Sequence, residues 1–498
     1  MNTPFMRSNL RSLFTRCAVS WCACAAIFVS HVPARADDAG MAVLKSARWR
    51  SAESFGSFGP HARAAVPGGG PIIGVGTAGI TAIDRASGKR IWLNEGGNLI
   101  MGVGDKTVLV QKQASKPVDR KLFALSAADG TVAYEIAIPQ EYAHNVPDDV
   151  HVIGKTVIIE SYTLTVDPNS VAVPPIGRVS VPGPRVLTAY DLDTGKELWK
   201  NNSPNNKKVF FEFDPAPSPP PQLELRTTME EQVIDSATGK PVWSVPLNGK
   251  EHEPYPLVPG HVRTADGTWF FLERAGDGDP AFGFQLIARD GATGKILRQH
   301  KIPDCPGALA AVAGQLLIMR ECRKSEYKYF MDSFSYVKLT EDEKKDKLTA
   351  IDMQTGKIVW TAAVPTDNQT TRVRVADDLL LAGEPDNLKP FLSHGKWNMI
   401  VLEAATGKTL WSKTLLSDVV MHKDLMIFAL VDQVVGANRR DGRILWSIPS
   451  GVAGNAACNP FIADGTLYLS IHNFDDPLGS GLFAIPLENN PALTGPRP

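Results

Sequence analysis

The sequence predicts an all-β fold, a β-propeller of eight four-stranded antiparallel blades. Three observations predict it. A strand-turn-strand phrase recurs along most of the chain, composition is turn-rich with 42 Gly and 37 Pro in 498 residues, and a lone strand near the start faces a partial unit near the end that lacks its fourth strand. The clearest copy of the phrase is Leu348–Trp360, LTAIDMQTGKIVW. Close copies are Ile80–Trp92, Leu187–Trp199, Val233–Trp243 and Ile400–Trp411; weaker ones are Leu122–Tyr134, Leu286–Arg298 and Val434–Trp446. The eight turn glycines, 88, 130, 195, 239, 294, 356, 407 and 442, recur every 35 to 65 residues. Such a period marks a repeat array.

Each copy has a simple physical logic. An apolar strand ends on an acid, here Asp352, whose carboxylate can cap N–H groups of the turn. Gly356 permits the positive φ that the turn needs. Trp360, on the outer strand, can cover apolar area on a neighbouring unit. One hairpin cannot stand alone, whereas a ring of them leaves only short, protected edges. The unit at 372–416 reads as four strands, Val373–Ala376, Leu379–Ala382, Met399–Glu403 and Thr409–Ser412. A last partial unit, 460–487, has no T-G-K turn, and a strand at Leu44–Ser51 around Trp49 is expected to complete it by pairing the two termini. A literal count of units is nine. Propellers typically have four to eight blades, so eight are expected, with nine kept open.

The start of the chain reads as a secretory signal. Arg7, Arg11 and Arg16 precede an apolar run, Cys17–Val32, and Ala34-Arg35-Ala36 fits a cleavage site. We therefore expect a signal peptide over 1–36 cleaved after Ala36, a single propeller over 37–490, a tail over 491–498, a periplasmic location and no transmembrane segment after cleavage. Cleavage would take the formal charge from −1 to near −5, and nothing suggests a nucleic-acid footprint. Three cysteines remain beyond the signal. Cys305 and Cys322 flank an antiparallel strand pair, where a disulfide and two thiols are both open readings; Cys458 reads as a buried thiol.

The pattern A-x-D-x-x-T-G-K-x-x-W resembles the repeat of the PQQ-like, or quinoprotein-like, β-propeller superfamily, and the resemblance covers roughly residues 70–490. Members include pyrroloquinoline-quinone dehydrogenases and BamB-type scaffolds of outer-membrane protein assembly. The resemblance implies a propeller fold and a periplasmic habit. It is nearly silent on function, because function lives in sites grafted onto folds. The dehydrogenases hold PQQ with Ca²⁺ or a lanthanide at the channel mouth and often use a ring of adjacent disulfide-bonded cysteines; this chain has no adjacent cysteine pair beyond the signal and no C-x-x-C-H haem motif.

The long insertions, 163–184, 323–347, 383–397 and 473–480, are all second–third strand connections, and 201–221 joins two blades. Both kinds of connection lie at the end opposite the T-G-K turns, which makes that end the expected working face; loops of this length are usually functional or disordered. In 323–347, Tyr327, Phe330, Met331 and Phe334 fall at i, i+3, i+4, i+7, one face of a helix that either packs down on the propeller rim or serves as a lid or partner-binding element. The segments 163–184 and 201–221 are Pro-rich and read as extended, polyproline-like connections. His472, Asp475 and Asp476 are the candidate catalytic or Ca²⁺-binding group, and Glu384, Asp386, His394 and Trp397 the candidate cofactor-binding group. His144, Asp148, Asp149 and His151 form a third, similar cluster. The functional expectation is an exported scaffold binding protein partners through this face. The alternative is a PQQ- and Ca²⁺-dependent oxidoreductase acting on an alcohol or sugar.

Overall fold

The computed structural model describes residues 38–53, 55, 63–76, 78–95, 99–111, 121–137, 150–166, 180–202, 222–226, 230–246, 261–274, 284–302, 307–321, 346–364, 372–384, 397–415, 419–430, 433–449, 460–471 and 481–493. These form nine antiparallel sheets, numbered here as blades one to nine from Arg63–Ala65 onward. Eight blades have four strands. Blade four shows three among the described residues, Gln222–Arg226, Glu230–Asp235 and Pro241–Pro246.

The ring thus has nine blades and not the eight expected. Counting T-G-K turns undercounts by one, because blade nine has no third–fourth turn. Its third strand, Gly481–Pro486, lies near the C-terminus, and its fourth, Trp49–Ser51, comes from the other end of the chain. Trp49 pairs with Ala484, Arg50 with Phe483 and Ser51 with Leu482, so the termini meet as expected. The expected strand over 44–48 is not formed. Asp38–Lys45 is instead a helix, α1, with Gly40, Val43 and Leu44 on its buried side at i, i+3, i+4 spacing.

Nine apolar clusters hold the ring, one between each pair of consecutive blades. The last, Phe55, Ile72, Ile83, Tyr468, Leu482 and Ala484, joins blade nine to blade one. Second strands are covered on both sides and read as unbroken apolar runs. Leu379, Leu380, Leu381 and Ala382 are each fully buried. Outer strands show solvent one side only. In Ile358–Val364, Trp360 and Val364 point inward while Ile358 and Val359 are exposed.

The repeated turn joins blades as well as strands. In blade six the Asp352 carboxylate accepts hydrogen bonds from Thr355 N at 2.7 Å and Thr355 Oγ1 at 2.7 Å, while Gly356 N donates to Asp352 O at 2.9 Å. Blades one, three, four and five repeat this with Asp84–Ser87, Asp191–Thr194, Asp235–Thr238 and Asp290–Thr293. The aromatic side chain of the preceding blade then lies on the turn glycine: Trp49 on Gly88, Trp92 on Gly130, Tyr134 on Gly195, Trp199 on Gly239, Trp243 on Gly294, Trp360 on Gly407 and Trp411 on Gly442. Most of these rings also donate to the carbonyl one residue past the turn's first position. Trp360 Nε1 reaches Ala404 O at 3.0 Å, Trp92 Nε1 reaches Ala127 O at 3.0 Å and Trp49 Nε1 reaches Arg85 O at 2.6 Å. Between blades five and six the two tasks are split, His300 lying on Gly356 and Arg298 donating to Met353 O at 3.3 Å.

These turn carboxyls predict a pH response. The Ser87, Thr293 and Thr355 hydroxyls hold Asp84, Asp290 and Asp352 below their ordinary 3.8. A folded value below the unfolded one stabilises above the unfolded value, and that contribution is lost as pH falls through the folded value. Thermal melting followed by circular dichroism is expected to be flat down to about pH 5 and to fall steeply below about pH 4. Asp352→Asn should lower the melting temperature at neutral pH and make the acid fall shallower. An unchanged acid slope in that variant would remove the turn carboxylate from the explanation.

Candidate functional site

Antiparallel order sends the first–second and third–fourth turns of every blade to one end and the remaining connections to the other. The turn end is consumed by structure. Besides the ring-on-glycine contacts, charges there bridge neighbouring blades. Lys155 Nζ lies 2.5 Å from Asp105, and Lys423 Nζ lies 2.8 Å from Glu488. Arg85 pairs with Asp464 across the joint between blades one and nine. Arg439 lies 2.7 Å from Asp377, 3.5 Å from Asp424 and 3.7 Å from Asp378; the hydrogen bond it donates to Asp377, the largest influence, raises its already high pKa. Each acid in these pairs is at least 44% exposed, so solvent screens the pairs and none is a strong source of stability. Tyr134, half-buried and donating to Leu192 O, has its hydroxyl pushed up to about 12 by burial, then by Asp191 and Asp193.

The opposite end carries the insertions. Glu384 ends the second strand of blade seven and Trp397 begins its third, so the two stand at the same end of adjacent strands. Just before Glu384, Gly383 takes φ +89°, and a Cβ there would lie 2.3 Å from Asn398 O, so the hairpin stem approaches too closely for a side chain. His151 lies in the first strand of blade three, opposite Ile158. The other sequence-predicted site residues, Asp386, His394, His472, Asp475, Asp476, Tyr327, Phe330, Met331, Phe334, His144, Asp148 and Asp149, lie outside the described residues, as do Cys305, Cys322 and Cys458. Among the described residues no three His, Cys, Asp or Glu side chains group as a metal site.

One insertion departs from the expected extended connection. Strands Thr156–Val166 and Ser180–Asp191 continue into it, with Leu164 opposite Pro182, Thr165 opposite Val181 and Val166 opposite Ser180. β-branched residues on both sides of the stem favour pairing, and the prolines do not stop it at this register. Sequence reasoning also passed over Glu160 and Ser161, each 5% exposed, which sit where this stem leaves blade three. The signal for them is a carboxylate closing an otherwise apolar run, Val157-Ile158-Ile159-Glu160.

A family model described as "Outer membrane protein assembly factor BamB" matches residues 76–199, 182–419 and 396–473. The chain belongs to the PQQ-like β-propeller family. No curated protein matches it. Among solved structures the family member is similar to BamB from Moraxella catarrhalis, at 13% identity and TM-score 0.40, over 88% of this chain and 98% of that one. It is similar to the quinohemoprotein alcohol dehydrogenase of Comamonas testosteroni, at 14% identity and TM-score 0.40, over 91% and 75%. The computationally designed protein Ika8 is similar at 10% identity and TM-score 0.41, over 81% and 99%. No described helix of this PQQ-like propeller is long and apolar enough to cross a membrane.

Proposed function

We propose that this propeller is an exported scaffold that binds protein partners through the face carrying the insertions. The single observation that carries the reading is the division of labour between the two ends. The repeat's acids, glycines and aromatics are engaged in blade-to-blade contacts at the turn end, which leaves the insertion end as the surface free to vary. The match to a model described as an assembly factor supports the same reading. The expected helix face of Tyr327, Phe330, Met331 and Phe334 supplies the apolar anchors such an interface needs. Under this reading PQQ and Ca²⁺ have no part; under the oxidoreductase alternative Glu384, Asp386, His394 and Trp397, with His472, Asp475 and Asp476, would hold them.

Photo-crosslinking in the exported compartment tests it. A photoreactive residue placed at Tyr327 or Phe334 should yield discrete protein adducts, and one at Lys357 or Lys408, on the turn end, should yield none. N-terminal sequencing of the same material is expected to read from Asp37. Adducts from both faces alike, or from neither, would overturn the scaffold reading. So would purified protein that takes up PQQ with Ca²⁺, shows a bound-quinone spectrum and reduces a dye.

A further inference from the structure

Eight of the nine joints between blades share one device, a side chain lying on the next blade's turn glycine. The joint between blades eight and nine cannot, because blade nine lacks that turn. Trp446, the outer-strand aromatic of blade eight, therefore has no glycine ahead of it and no carbonyl to reach. It is fully buried, and its Nε1 has no hydrogen-bond partner among the described residues.

Two features make up for the loss. The first lies within blade eight. Trp446 pairs in register with Gly436 and lies flat upon it; a Cβ at 436 would stand 2.1 Å from Cε2 and 2.4 Å from Nε1. Elsewhere the residue opposite the ring is never glycine. It is Ala82 for Trp92, Ala189 for Trp199, Val233 for Trp243, Ala350 for Trp360 and Val401 for Trp411. A Cβ there holds the ring off the strand and toward the next blade, while Gly436 lets Trp446 fold back.

The second is α1. Val43 and Leu44, 0% and 4% exposed, share one apolar cluster with Trp446, Ile448, Leu487 and Leu493, which spans blades eight and nine. The helix is tied down at its end. Ser46 Oγ donates to Val43 O at 2.6 Å, and Asn490 Nδ2 donates to Ser46 Oγ at 2.9 Å and to Pro486 O at 2.9 Å. Arg48 N then donates to Ala484 O at 2.8 Å and leads into Trp49–Ser51, whose Trp49 clasps blade one.

We propose that residues 38–51 are a two-part strap. α1 replaces the missing clasp on blade eight, and Trp49 supplies the clasp on blade one. Blade nine is held on both sides by the N-terminal segment, and release of the strap opens the ring there without unfolding the other blades.

Hydrogen exchange on the full chain tests the strap. The double variant Val43→Ala/Leu44→Ala should speed exchange about tenfold or more in 425–448 and 466–485, with 316–364 unchanged. A variant lacking 38–45 should show the same pattern more strongly, and a peptide spanning 37–52 should restore protection in trans. Gly436→Ala, which leaves the strap's own sequence intact, should produce the same local loss by lifting Trp446 against α1; Ala350→Gly should not. Uniform acceleration across all blades, or no acceleration with Gly436→Ala, overturns the proposal. The alanine variants decide the matter if the deletion fails to fold.

Discussion

Gly407→Ala is expected to lower the unfolding free energy by about 2–5 kcal/mol, with urea denaturation as the measurement. Two costs combine. Gly407 has φ +69°, where a side chain costs roughly 1–2 kcal/mol. An added Cβ would lie 2.5 Å from the Trp360 ring, and overpacking of that kind costs about 1–3 kcal/mol. Trp360→Ala, at a site 9% exposed, should cost about 3–5 kcal/mol by leaving a cavity between blades six and seven. The two are not independent. With the ring gone the added methyl group meets open space, so the double variant should be more stable than the sum of the singles implies, by about 1–2 kcal/mol. Strict additivity would mean that the ring and the glycine do not meet. The same cycle at Trp92 and Gly130, where a Cβ would lie 2.6 Å from the ring, should behave alike.

Phe55→Ala is the second large effect, expected at about 3–5 kcal/mol. Phe55 is 2% exposed and fills the space left by Gly74, where a Cβ would fall 2.2 Å from the ring. Its backbone N and O both bond to Ser470 Oγ at 3.1 Å, so one hydroxyl ties it to blade nine while its ring packs on blade one. Ser470→Ala should cost about 1–3 kcal/mol for each of the two backbone groups it leaves unsatisfied. Against the 5–15 kcal/mol typical of a whole domain, loss of Phe55 would bring the ring close to opening. Adding Gly74→Val to Phe55→Ala should recover part of the loss by refilling the cavity. A melting temperature in Phe55→Ala equal to that of the parent would show that this joint carries no load.

Much of this architecture is legible in the sequence because the repeat is local. In blade seven the expected strands Leu379–Ala382 and Thr409–Ser412 appear as Leu379–Glu384 and Thr409–Leu415. Asp352, Gly356 and Trp360 take the structural places their spacing suggests. The candidate site is far less legible. Glu384 and Trp397 do reach the insertion end together, but a repeat says nothing about the residues inserted between its copies. The buried Glu160 gave only a faint signal, a charge ending an apolar run. The strand assigned to 44–48 failed for a different reason. Val43 and Leu44 carry an apolar pattern that suits strand or helix, and only Trp446, Leu487 and Leu493 around them select the helix.

By itself, the sequence determined the blade, its turn chemistry and the separation of a plain end from a decorated one, since each rests on residues within about a dozen positions of one another. Tertiary structure alone decided the number of blades, the α1 helix and the joint that closes the ring. Those depend on pairs such as Phe55 and Ser470, 415 positions apart. Contacts of that span leave no periodicity to read, and their energy exists only once the intervening blades have brought the two ends of the chain together.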